Sequence, residues 1–101
     1  MKTCYSYHCS STVMAVVDLS QSVDVPGWII TRVNVPPAFR RRGIATRLMN
    51  EVIEDAELEE VFLHLWIHPY GDMTFEQLAD WYERLGFQWS PDRTCMIRAP
   101  E

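Results

Sequence analysis

The residues with the clearest chemical potential form a basic turn that is followed at once by an acidic segment. Four of the eight arginines fall within eight positions around a single glycine: Arg40, Arg41, Arg42 and Arg47 around Gly43. Six acids follow, at Glu51, Glu54, Asp55, Glu57, Glu59 and Glu60. In a helix these charges oppose the macrodipole, and an anion bound at the N-terminus would offset that cost. A basic turn that only faces solvent fits the same residues equally well.

The elements around this turn predict a strand, a helix and a second strand. Trp28–Val35 is rich in β-branched and apolar residues, and Pro36-Pro37 must end it. From Gly43 to about Leu58 the apolar residues recur at three- and four-residue steps, which is typical of an amphipathic helix. Val61–Ile67 is apolar on both alternating faces except at His64, as in a central strand covered on both sides. This order predicts a right-handed crossover with parallel strands.

The remaining segments complete one α/β domain over residues 1–101. A hairpin is predicted from Cys4–Cys9 and Thr12–Leu19, with a loop over Ser20–Gly27 and a last strand over Arg93–Arg98. Thr74 and Gln77 have the spacing of a capping box, and Gly86 can close the helix that follows. We therefore expect a compact domain with a mixed central sheet and a β-α-β-α core.

Composition excludes several functional classes. The net charge of -5 disfavours nucleic-acid binding, and no apolar run approaches the roughly 18 residues of a membrane span. The N-terminus lacks the features of a secretory signal, so we expect a cytoplasmic protein. The three cysteines form no C-x-x-C pair, and Cys4, His8 and Cys9 lack a fourth ligand at useful spacing, so no metal is expected. No lysine follows Lys2, which excludes a P-loop.

Two sequence blocks resemble the GNAT superfamily of N-acetyltransferases. The acetyl-CoA signature of that family has the core Arg/Gln-x-x-Gly-x-Gly/Ala between a strand and a helix, and Val33–Leu48 contains it as Arg40-x-x-Gly43-x-Ala45. A second family block, an aromatic-rich helix that ends in Tyr-x-x-x-Gly-Phe, is similar to Ala79–Phe87. The two blocks occur in the family's order, and the resemblance covers about residues 28–98.

The resemblance implies a direct transfer of an acetyl group from acetyl-CoA to an amine, without a metal. It implies that Val33, Asn34 and Val35 bind the pantetheine arm. It further implies that the main chain of the basic turn binds the pyrophosphate, through Arg40, Arg41, Arg42, Gly43, Ile44, Ala45 and Thr46. Tyr82 would be the general acid that protonates the departing thiolate. The alternative for Tyr82 is a core aromatic residue whose hydroxyl is bonded to the backbone.

The departures from the family pattern concern the general base and the acceptor. Many members carry a glutamate base on one of two strands, whereas the matching segments here, Leu63–Ile67 and Ile29–Arg32, contain no acid. His68 and Asp72 are the nearest titratable candidates, and either could equally be an ordinary loop residue. Phe75 occupies roughly the position at which family members often have an asparagine that contacts the cofactor. We interpret Cys95 as a buried packing residue rather than as a nucleophile.

The segment that would form the acceptor side is short, because only about 27 residues precede the cofactor strand. The family usually has a strand and two helices before this point. We therefore interpret the chain as a short, N-terminally truncated form. An open acceptor site suits a protein amine, while a small-molecule amine is also compatible, and a second subunit could complete the site as a homodimer. The alternative function is a catalytically inactive module that binds CoA or a partner protein. The acceptor, the acyl chain length and the oligomeric state are not determined by the sequence.

Overall fold

The chain folds around one six-stranded mixed sheet. The computed structural model describes residues 1–69 and 73–101. Its strands are β1 (Cys4–His8), β2 (Met14–Ser22), β3 (Val25–Asn34), β4 (Leu63–Leu65), β5 (Gln88–Trp89) and β6 (Met96–Arg98). The helices are α1 (Ile44–Glu59) and α2 (Phe75–Arg84), and a 3-10 turn spans Pro37–Phe39. The strand order is β1-β2-β3-β4-β6-β5. The predicted mixed sheet with a β-α-β-α core is confirmed.

The β3-α1-β4 unit is the predicted crossover with parallel strands. β3 pairs with β4 in parallel, from Trp28 opposite Leu63 to Ile30 opposite Leu65, and every other neighbouring pair of strands is antiparallel. The predicted capping box also forms: the Gln77 N–H donates to the Thr74 hydroxyl at 3.2 Å, and the Thr74 N–H donates to the Gln77 side chain at 2.9 Å. The sequence pattern therefore located both helix starts.

One face of the sheet carries both helices and the hydrophobic core. The buried side of α1 consists of Ile44, Leu48, Met49, Val52 and Ala56. These residues share one cluster with Leu63 and Leu65 of β4 and with Tyr82 of α2. Because side chains alternate along a strand, His64 points to the opposite face of the sheet. No helix of the described chain covers that face.

Polar bonds tie α1 to the outer parts of the sheet. The buried Tyr5 phenol donates to Asp55, and burial together with this carboxylate raises the pKa of Tyr5 to about 12. On the other side Arg98 donates to the Leu85 carbonyl at 2.9 Å and also to Glu57. The Arg98 bond holds the pKa of Glu57 below its usual value. Two acidic residues of α1, Asp55 and Glu57, therefore attach the helix to the sheet.

Three boundaries differ from the sequence-based expectation. The expected loop over Ser20–Gly27 is wrong in extent, because Ser22 pairs with Val25 and leaves only a two-residue turn. Register shifts in this hairpin let Pro26 and Gly27 lie within a strand. β4 is shorter than expected, since pairing stops at Leu65, but all three of its residues are buried, as expected for a strand covered on both sides. The last strand begins at Met96 rather than at Arg93, because residues 90–95 form a turn that also positions β5.

Gly27 permits a close backbone approach between β3 and the segment that leads into β4. A Cβ atom built on Gly27 would lie 2.2 Å from the Phe62 carbonyl oxygen, and the residue has a φ of 87°. The Trp28 N–H donates to that same carbonyl at 2.9 Å. A side chain at position 27 would therefore push β3 away from the segment that leads into β4.

We expect Gly27→Ala to lower the free energy of unfolding by at least about 3 kcal/mol, because strain and a backbone clash combine. The matched control is Gly43→Ala, since Gly43 also has a positive φ of 75° but a Cβ there meets nothing within 4 Å. Strain alone predicts a loss of about 1 kcal/mol for the control. Urea titration of both variants measures the difference, and equal losses would contradict the role given to the Phe62 carbonyl.

Candidate active site

A cavity lies in the cleft between β3 and the end of β4. Pairing between the two strands stops after Ile30 and Leu65, while β3 stays paired with β2 as far as Asn34. The chain beyond β4 therefore diverges from β3. The gap is part of a cavity of 620 Å³ whose walls include Val33, Asn34 and Val35 on one side and Trp66, Ile67 and His68 on the other.

The basic turn closes one end of this cavity. The Arg40 guanidinium donates to the Val35 carbonyl at 2.8 Å, which fixes the turn that leaves β3. Arg41 has a φ of 64° and Gly43 a φ of 75°, so the backbone bends twice through left-handed conformations before α1 begins. Such a bend folds the peptide groups of the turn back toward the helix start.

The N-terminus of α1 has the properties of an anion site. Gly43 is the N-cap, and no side chain caps the helix there. The first helical bond of this end runs from the Arg47 N–H to the Gly43 carbonyl at 3.0 Å. The N–H groups of the first helical turn therefore have no acceptor within the helix. The space above Gly43 is open, and neither an acid in the first turn nor a base in the last turn balances the dipole.

Nine of the ten residues predicted for cofactor binding line the cavity: Val33, Asn34, Val35, Arg40, Arg41, Gly43, Ile44, Ala45 and Thr46. Arg42 is the exception within the described walls. Its guanidinium lies over the Phe39 ring, 5.4 Å from the centroid, in a cation–π contact. The tertiary structure thus brings two sequence segments, residues 33–35 and 40–46, to one cavity.

Helix α2 supplies the wall that carries Tyr82. This residue is 8% exposed and lines the cavity. Its ring packs against Trp81 at 4.9 Å and edge-on against Phe87 at 5.7 Å between centroids. Because two aromatic neighbours fix the ring, the phenol is held in one position at the cavity wall.

Trp81 is a cavity residue that sequence reasoning did not single out. Its indole N–H donates to the Thr46 hydroxyl at 3.1 Å and joins α2 to the first turn of α1. Periodicity alone could not reveal this contact, because it depends on how the two helices meet. The bond connects the wall that carries Tyr82 to the anion site at the start of α1.

The titratable groups of the cavity are few and mostly cationic. Among the described lining residues, Arg32, Arg40 and Arg41 are permanently charged, Tyr82 is a phenol, and His68 is an exposed imidazole. No described lining residue is a carboxylate. Asp72, the other candidate base, lies outside the described residues. Cys95 is buried but lines a different cavity, on the opposite face of the sheet.

Two further kinds of site are absent from residues 1–69 and 73–101. Nowhere in these ranges do three histidine, cysteine, aspartate or glutamate side chains cluster in a way that could hold a metal ion. None of their helices combines the length and the apolar character needed to cross a bilayer.

Comparison with known proteins identifies the family. The profile of the acetyltransferase (GNAT) domain matches residues 3–89. Curated protein sequences provide no match. Among solved structures, the crystal structure of the anti-CRISPR protein AcrVA5 aligns with a TM-score of 0.68 at 20% identity, over 97% of this chain and 100% of that one. The ribosomal-protein-S18-alanine N-acetyltransferase from Escherichia coli aligns with a TM-score of 0.63 at 20% identity, over 90% of this chain and 63% of the enzyme.

Sequence profile and fold agree on this family. The profile covers most of the chain, from the first strand to β5, and so includes both the basic turn and the helix that carries Tyr82. The structural likeness is found at only 20% sequence identity, and it extends over at least nine-tenths of the chain in both comparisons. The chain therefore belongs to the GNAT family of acetyltransferase domains.

Proposed function

We propose that this chain is an N-acetyltransferase that moves the acetyl group of acetyl-CoA directly to an amine. The observation that carries the proposal is one cavity that joins the end of β3, the open N-terminus of α1 and the buried Tyr82. Each of these parts suits a different portion of one ligand. All three cysteines are free, which is consistent with the reducing cytoplasm.

The residues present fit acetyl-CoA. The β3–β4 ladder ends at Ile30 and Leu65, and the extended end of β3 lines the cavity, so an extended pantetheine arm can lie alongside its backbone. The first-turn N–H groups of α1 and Arg41 favour the pyrophosphate, and the space above Gly43 admits a close approach. Bound acetyl-CoA would supply the acetyl group as a thioester, which a neutral amine can attack without a covalent enzyme intermediate.

Two side chains of the cavity suit the proton transfers. His68 accepts the proton that the amine loses as its nitrogen forms the new C–N bond, and it can release that proton to solvent because it is exposed. Tyr82 donates its phenolic proton to the sulfur as the C–S bond breaks. A proton from solvent then restores the phenol. His68 is favoured as the base because it is the one imidazole among the described lining residues, and histidine is the side chain most often used as a general base.

The first test concerns cofactor binding. We expect Gly43→Val to weaken CoA binding by at least about 100-fold, since the side chain fills the space that the pyrophosphate needs. Arg41→Ala should weaken binding less, and this loss should shrink as salt is added. Calorimetric titration with CoA measures both, with Glu51→Gln on the exposed face of α1 as a control. Unchanged affinity in a folded Gly43→Val variant would exclude the site.

The second test separates an enzyme from a binding module. Tyr82→Phe should leave the affinity for acetyl-CoA within about twofold while turnover falls about 100-fold, the lower range for general acid catalysis. The alkaline limb of the pH–rate profile should also disappear. Tyr7→Phe is the matched control, because it removes a phenol outside the cavity. Equal turnover in the Tyr82 variant and the parent would make Tyr82 a packing residue, and CoA binding without transfer to any amine would favour the inactive module.

The third test concerns His68. If its imidazole must be neutral to accept the proton, kcat/KM falls on acidification in the parent and loses most of this dependence in His68→Gln. The plateau rate of the variant should be lower by about 100-fold. Rates from pH 5 to 9 with one amine check this, and His8→Gln on the exposed edge of β1 is the control. An unchanged acid limb in His68→Gln would assign it to another group.

A further inference from the structure

A second cavity lies on the face of the sheet that the helices leave open. It measures 390 Å³, and its floor contains His64 of β4 and Ile97 of β6, which are register partners. The tip of the β2–β3 hairpin, at Asp24 to Pro26, forms one side. The turn between β5 and β6 forms the other, through Ser90, Pro91, Asp92, Thr94 and Cys95. This cavity is separate from the candidate active site but adjacent to it, because Trp66 lines both.

The described walls of the two cavities carry opposite charge. The described walls of the first contain three arginines and no carboxylate, whereas those of the second contain Asp24 and Asp92 and no lysine or arginine. Asp92 is held in place by the Ser90 hydroxyl at 2.7 Å and by the hydroxyl and N–H of Thr94 at 2.8 and 3.1 Å. These bonds keep the pKa of Asp92 below its usual value. The second cavity therefore presents a fixed negative charge.

The interior of the second cavity is apolar apart from one unsatisfied nitrogen. Val25, Pro26, Pro91 and Ile97 contribute hydrocarbon surface. His64 is 7% exposed, and its Nε2 atom is buried without a hydrogen-bond partner among the described residues. A buried polar atom without a partner is costly, so a polar group that reaches it from the cavity would improve on the free protein. The apolar walls and the two carboxylates suit the long stem and cationic head of lysine or arginine.

The surroundings favour a polypeptide over a small molecule as the bearer of that cation. Phe62 and Trp66 are 41% and 40% exposed, and Trp66 separates the two cavities. A ligand that reaches both cavities must pass over this indole with one group on each side. A peptide segment does so with two side chains, or with its α-amine and one side chain, while a small molecule with a single amino group fills only one cavity.

We propose that the second cavity is an acceptor subsite, and that the acceptor is a polypeptide with a lysine or arginine side chain a few residues from the acetylated amine. The inference rests on the proposed acetyltransferase function, since it assigns the acceptor for the same transfer. The acceptor amine enters the first cavity, the chain crosses Trp66, and the basic side chain enters between Asp24 and Asp92.

Peptide binding tests the proposal without requiring transfer. The probes are fluorescein-labelled eleven-residue peptides of alanine, serine and glycine with one central lysine, and with arginine, glutamine or glutamate two residues before or after it. We expect the better arginine peptide to bind about tenfold more tightly than its glutamine counterpart in anisotropy titrations at low salt, and the glutamate peptide to bind most weakly. Equal affinities for all three would overturn the proposal.

Two charge-neutralising variants locate the subsite. Asp24→Asn combined with Asp92→Asn removes both charges, while the new amide at position 92 can still accept the bonds from Ser90 and Thr94. This variant should lose the preference for arginine and keep the parent's affinity for CoA. The control combines Glu51→Gln with Glu54→Gln, which removes two exposed charges on α1 and should keep the preference. A preference lost equally in both variants would mean that overall charge, not this cavity, selects the peptide.

The remaining outcomes separate this inference from the proposed function. An arginine preference that depends on Asp24 and Asp92 in a chain that does not bind CoA would sustain the subsite and refute the transferase. CoA binding and acetyl transfer without an arginine preference would support the transferase and refute the subsite. Sedimentation at increasing protein concentration tests whether a second copy of the chain occupies the cavity. The proposal would be overturned if the parent forms a dimer that does not bind the peptides and if the double aspartate variant is a monomer.

Discussion

The loss of hydrogen bonding between β3 and β4 after Ile30 and Leu65 is the constraint on which the candidate active site depends. β3 remains paired with β2 to Asn34, so it stays extended while the chain beyond β4 turns away. The edge of an extended strand presents backbone donors and acceptors at regular intervals. In this chain that edge faces a cavity rather than bulk solvent. The fold thus exposes a linear row of polar backbone groups to a ligand of matching shape.

Helix α1 shows how tertiary packing overrides local electrostatics. Its basic start and acidic end oppose the macrodipole, at a cost of a few tenths of a kcal/mol or more per charge. Its buried face contributes much more, because fully burying one leucine or valine side chain is worth about 1.5–3 kcal/mol. Leu48 and Val52 are each at most 1% exposed. The helix can therefore keep an unneutralised N-terminus at the cavity, where an anionic ligand would find free N–H groups.

The two proposed sites lie on opposite faces of the sheet. The helix-covered face carries the cofactor cavity, whose Tyr82 wall is joined to the start of α1 by the bond between Trp81 and Thr46. The open face carries the acidic cavity over His64. Trp66 lies where the two meet, because the chain changes direction after Leu65. A chain of 101 residues can hold two such sites because both are built on β4, with Leu65 at the first cavity and His64 at the second.

Local sequence patterns predict both helices, every strand except the two-residue β5, and the order of these elements, because periodicity, Pro36-Pro37, the capping box at Thr74 and the glycines act over a few residues. They also single out Tyr82 and the turn from Arg40 to Thr46, since a short motif and a helix end are local. Three features could not be predicted in this way: where β4 stops pairing, the bond from Trp81 to Thr46, and the position of Asp24 and Asp92 at one cavity. These features join residues distant in the chain, and their geometry follows from how the sheet and helices pack together.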